Sequence, residues 1–83
     1  MILERNENLA EFVGIFLVAG SLEENLLAIS IDKDRYEYVD HVVDLVKLMF
    51  DIEPAVTGYC GGVLISISDR EVIEAFKRDA LEM

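Results

Sequence analysis

The chain has 83 residues, of which 53 % are hydrophobic and 29 % charged, and its 17 acids against 7 bases give a formal net charge of −10. That length supports one domain with a thin core, roughly 60–65 % of the unfolded surface hidden, so a second copy is a natural source of further burial. The acidic balance disfavours nucleic acid as a partner, because backbone affinity comes from Lys and Arg displacing counterions.

Residues 8–20 are predicted to form the first helix. Asn8 is placed to cap it, with Glu11 three residues on to complete a capping box. Leu9, Phe12, Val13, Phe16 and Leu17 follow helical spacing, while Ile15, Val18 and Ala19 fill the remaining circumference. A helix that is apolar all round is buried all round. One side can meet this chain's own sheet, and the other calls for a different surface. Gly14 in mid-helix costs up to about 1 kcal/mol against alanine, which points to close packing there. Gly20 is expected to end the helix at the position after the C-cap.

A short hairpin follows, with residues 21–24 and 26–32 as strands and Asn25 in a left-handed turn. Leu27, Ile29 and Ile31 alternate with Leu26, Ala28 and Ser30, the period of a strand. Asp34 and Glu37 read as a capping box opening a helix to Phe50, with Tyr36, Val39, Val43, Val46 and Phe50 inward and Asp40, Asp44 and Lys47 outward. After Pro54, residues 55–60 and 63–68 form a second hairpin about a Gly61-Gly62 turn, where both glycines accept positive φ. Ser68 and Glu71 read as a third capping box, and the last helix is expected to bury Val72, Ile73, Phe76 and Ala80. The order α-β-β-α-β-β-α predicts an α+β fold, a four-stranded antiparallel sheet with helices on one face. A ferredoxin-like arrangement needs a strand before the first helix, for which MILERNE is a weak candidate.

The stretch FVGIFLVAG at 12–20, followed by Ser-Leu, resembles the LAGLIDADG motif of the homing endonuclease family. LMFDIEP at 48–54 and ISISDREVIEAFK at 65–77 also look like that family's later junctions, and the element order is the family's own. The resemblance implies that two such helices pack against each other in a homodimer, with Gly14 at the glycine that lets the backbones approach. Val13, Gly14, Leu17 and Gly20 are then the expected interface. It further implies a metal-binding acid just before the final glycine, where this chain has Ala19, and a second, more variable acid where it has Leu17. Mg²⁺ is bound through one or two carboxylates plus phosphate, and a methyl group supplies neither. Neither catalytic residue, metal nor cofactor is therefore expected, although Glu23 and Glu24 stand a few residues downstream.

The family grips DNA with the open face of its sheet. Here residues 21–31 and 51–68 contain no Lys or Arg, and the seven bases are Arg5, Lys33, Arg35, Lys47, Arg70, Lys77 and Arg78. The predicted open face comprises Leu26, Ala28, Ser30, Ala55, Thr57, Tyr59, Leu64, Ser66 and Ser68, which can donate hydrogen bonds but cannot neutralise phosphate. His41 with Asp40 and Asp44 reads as a solvated helix face lacking a third ligand. Cys60, the single cysteine, excludes an internal disulfide, suits a reducing cytoplasm, and reads as a small packing residue beside a turn. No uncharged run approaches the ~20 residues that span a bilayer, and MILERNE lacks the basic head and apolar stretch of a signal peptide. The expectation is a non-catalytic, homodimeric scaffold or interaction module offering its sheet face to a protein or small ligand. A sequence-specific DNA-binding regulator, or an endonuclease with relocated ligands, are the alternatives.

Overall fold

A computed structural model describes residues 1–81. Helix α1 spans Glu7–Ala19, and its cap is Asn6, whose extended backbone lets the side-chain carbonyl accept the Leu9 N–H at 3.1 Å. This corrects the expected Asn8 cap: Asn8 lies inside the first turn, and Glu11 pairs with His41 instead of closing a box. At the other end Gly20 is extended (φ −97°, ψ 160°), not left-handed, and leads directly into β1, Gly20–Glu23. Space explains this glycine. A Cβ there would lie 2.3 Å from Phe16 Cδ1 and 2.7 Å from the Phe16 carbonyl oxygen.

Strand β1 pairs antiparallel with β2, Leu26–Asp32, leaving Glu24-Asn25 as a two-residue turn. Asn25 does not take positive φ. Among the described residues the non-glycine that does is Asp51 (φ 56°), which ends the second helix by donating its N–H to the Lys47 carbonyl at 3.0 Å. That helix, α2, spans Tyr36–Phe50 after a 3₁₀ turn at Lys33–Arg35, and no side chain caps it. The predicted Asp34–Glu37 box is therefore absent. The buried stripe of α2 is Val42, Leu45, Val46 and Phe50, with Val39 and Val43 half-buried and Tyr36 exposed. Adjacent apolar pairs at 42–43 and 45–46 allow two stripes of equal hydrophobicity, and contact with the sheet selects between them.

Strands β3, Ala55–Tyr59, and β4, Gly62–Ile67, form the second hairpin. Its turn is Cys60-Gly61, one residue earlier than expected, because Gly62 already pairs with Tyr59 and with Asp32. A Cβ on Gly62 would sit 2.0 Å from the Ile31 carbonyl oxygen, so only glycine lets β4 start against β2. Helix α3, Arg70–Phe76, is capped by Asp69, not Ser68, through bonds from the Glu71 and Val72 N–H groups at 2.9 and 3.3 Å. A π-helical turn continues it over Lys77–Leu81.

The sheet order is β1-β2-β4-β3, antiparallel throughout. The α+β order α-β-β-α-β-β-α is thus the observed one, and no strand precedes α1 among the described residues, which removes the ferredoxin-like alternative. Leu27, Ile29 and Ile31 of β2 and Val63, Ile65 and Ile67 of β4 are buried on one face beneath the helices. Phe12 of α1 is the hub. Its ring meets Phe50 of α2 and Phe76 of α3 edge-to-face, with centroids 5.5 and 5.4 Å apart. Val72, Ile73, Ala75 and Phe76 anchor α3 in the core, and Ala80 is half-buried. Ahead of α1, Leu3 is also buried, and its N–H donates to Asp79 Oδ2 at 3.0 Å.

Candidate interaction site

Gly14, Leu17 and Val18 lie on the surface of α1. Leu17 is 73 % and Val18 89 % exposed, and a Cβ at Gly14 would meet nothing within 4 Å. Of the four residues expected at a helix–helix interface, Gly14 and Leu17 occupy this bare face. Val13 is half-buried against the chain's own core, and the space beside Gly20 is already taken by Phe16. Val18 was missing from that set although it stands four residues after Gly14. Helical spacing alone would have placed it there.

Beside this face runs a groove of about 560 Å³ between α1 and the segment 30–38. Gly14, Ile15 and Val18 line it from α1, and Ile31, Arg35 and Tyr38 from the segment that follows. Glu11 stands at its rim, joined to His41 of α2, whose ring also lies 5.4 Å from that of Tyr38. This pairing turns His41 toward α1 and away from any joint role with Asp40 and Asp44.

Ala19 is half-buried against the core. A methyl group at the position where the resembled family carries its acid does not fit a divalent cation. Glu23 stands at the far end of β1, about 10 Å along the strand from Gly20 at ~3.3 Å per residue, and Glu24 follows in the turn. Among the described residues no three His, Cys, Asp or Glu side chains converge as a metal-ligand set.

Strand register puts Leu26, Ala28 and Ser30 of β2, Leu64 and Ser66 of β4, and Ala55, Thr57 and Tyr59 of β3 on the face away from the helices. Ala28 stands beside Ser66, and Ser66 beside Ala55; Ser30 stands beside Leu64, and Leu64 beside Thr57. Ser30, Thr57 and Tyr59 are exposed, Leu26, Leu64 and Ser66 half-buried, and Ala28 buried. Ser68 lies beyond the end of β4. Among the described residues no cation stands on this face, and its charges are the acids Glu23 and Asp32 at strand ends. Three of the bases are held by acids elsewhere, Lys47 by Glu53, Arg70 by Glu74 and Arg78 by Asp79. Among the described residues no helix is long and apolar enough to cross a membrane.

No protein-family model matches this sequence, and no curated protein matches it.

Proposed function

We propose that this chain is a non-catalytic relative of the LAGLIDADG homing endonucleases that works in the cytoplasm as a homodimeric scaffold or interaction module. The bare face of α1 carries the reading. Leu17 and Val18 project into solvent one turn beyond the open space at Gly14, two neighbouring exposed apolar side chains on one helix; Ile2 and Leu48 are exposed elsewhere. Burying each such side chain contributes about 1.5–3 kcal/mol, and a two-fold contact counts each twice. Gly14 lets the helix of a second copy approach closely enough for that burial.

The absence of a carboxylate at Ala19 supports a non-enzymatic role. The cation-free open face supports a binding partner other than DNA, a protein or small neutral ligand seated on Ser30, Thr57, Tyr59 and their neighbours.

Sedimentation velocity over a concentration series tests the dimer. Wild type is expected to dimerise, and Gly14→Leu or Leu17→Glu to lower the association constant about tenfold or more, since each places bulk or charge in a close apolar contact. Unchanged association in both variants would sink the reading. Incubation of the protein with duplex DNA libraries and Mg²⁺ or Mn²⁺ is expected to yield no site-specific cleavage.

A further inference from the structure

Among the glycines, Gly20 and Gly62 each fill a space in which this chain itself forbids a side chain, and Gly61 lies in a turn against Tyr59. Gly58 does not fit this pattern. It is the fourth of the five residues of β3, has no positive φ, and a Cβ there would meet nothing within 4 Å. An interior strand glycine weakens a sheet unless another backbone or ligand comes close to it.

β3 is also an unguarded edge. Among the described residues it pairs with β4 alone, and all five of its residues are exposed, Val56 by 51 % and Tyr59 by 50 %. Its register against β4 is continuous, with no bulge. Its sequence, AVTGY, holds no charge in a chain of net charge −10. Sheets protect free edges with lysine, bulges, proline or a covering element, and β3 has only Pro54 at its entrance.

The direction of its free hydrogen-bonding groups follows from the hairpin. A two-residue loop makes the flanking residues, Tyr59 and Gly62, a hydrogen-bonded pair. Alternation along the ladder then turns the N–H and C=O groups of Val56 and Gly58 outward. The bond from the Lys33 N–H to the Gly61 carbonyl, 3.1 Å on the β2 side, has the same phase, since Gly62 spends its own groups on β3.

We infer that β3 pairs antiparallel with β3 of a second copy, about a two-fold axis at Thr57. In this register each Val56 faces a Gly58 in a hydrogen-bonded pair, giving four backbone bonds. Each Tyr59 faces an Ala55, so large meets small at the four positions flanking the axis, where Thr57 meets Thr57. Moving the axis to Val56 would set Pro54, which has no N–H, against Gly58. Moving it to Gly58 would set two glycines together and leave Ala55 unpaired. The strand is thus complementary to itself in one register, and it is a place where two acidic chains meet without opposing charges.

This contact is independent of the one proposed at α1. β1, which continues from α1, is one edge of the sheet and β3 is the other. The two contacts together would link dimers into closed tetramers or chains.

Disulfide trapping in the full chain tests the register. In a Cys60→Ser background, Thr57→Cys is expected to form a covalent dimer with diamide about tenfold faster than Ala55→Cys, because the non-hydrogen-bonded pair holds its Cα atoms ~4.5 Å apart while the two Ala55 sites lie several residues from each other. The same comparison in a Leu17→Glu background is expected to give the same ratio, which separates this contact from the one at α1. In that background Val56→Pro is expected to abolish residual self-association in sedimentation velocity, with circular dichroism confirming the fold. Equal trapping rates for Thr57→Cys and Ala55→Cys overturn the proposal. So does unaltered self-association in folded Val56→Pro or, should that variant not fold, in Gly58→Lys.

Discussion

Glycines separate what this chain needs to fold from what it leaves open. Gly20 is enclosed by the side chain and backbone of Phe16, so Gly20→Ala is expected to destabilise the protein by about 1–3 kcal/mol, the usual cost of overpacking. Gly14 has open space around it, and Gly14→Ala is expected to stabilise the separated chain by up to about 1 kcal/mol through helix propensity. Urea denaturation of both variants, at concentrations below self-association, distinguishes the two roles. Opposite signs identify Gly14 as a glycine unexplained by its own fold; equal destabilisation would mean that α1 needs it internally. Motif spacing made Gly14 legible, but it made Gly20 look equally external. Nothing in the string FVGIFLVAG says that the Phe16 ring turns back over residue 20.

At the scale of elements, Phe12, Phe50 and Phe76 tie the helices together where the hydrophobic pattern only indicates that each helix has an inward side. Phe12→Ala removes a fully buried ring from contacts with both Phe50 and Phe76, and a loss of about 3–5 kcal/mol is expected on chemical denaturation. Asp79, in the turn that continues α3, fastens that turn to the segment ahead of α1. The Arg78 guanidinium and the Leu3 N–H hold this carboxyl well below the usual carboxylate range. A carboxyl with a lowered folded pKa stabilises the protein above its unfolded pKa, near 4, and that contribution is lost as the pH falls further. Between about pH 5 and 2.5 the Tm of wild type is therefore expected to fall more than that of Asp79→Asn. Parallel profiles for the two would show that the charge of the Asp79 carboxylate does not contribute. Helix and strand existence was readable along the whole chain from apolar period. Cap identity was not. Asn6 and Asn8, and Ser68 and Asp69, are neighbouring groups of similar capping ability, and the angle at which the chain enters each helix decides between them, while at α2 a 3₁₀ turn leads in and neither Asp32 nor Asp34 caps.

For the whole molecule, charge sets the conditions under which copies meet. Each chain carries −10, so association opposes electrostatic repulsion, and raising the salt from about 0.05 to 0.5 M is expected to tighten self-association by screening it. Sedimentation in both buffers checks this; weaker association at high salt would point to an interface built from ion pairs. The same charge, with no cation on the open sheet face, leads to the expectation of no mobility shift for duplex DNA at physiological salt. Binding with a steep salt slope would reinstate a DNA-reading role.

The sequence by itself determined the α+β class, the order of its elements, the helix-facing residues of β2 and β4, and the lack of a carboxylate at Ala19. These depend on local period and on residue identity, which a string of letters carries in full. The tertiary structure alone decided which of two apolar stripes on α2 faces the sheet, that Val13 is half-buried against the chain's own core, and that β3 ends the sheet with its Val56 and Gly58 amides turned outward. Each of these follows from which surfaces the rest of the chain reaches, and three helices over four strands leave one side of α1 and the outermost strand uncovered.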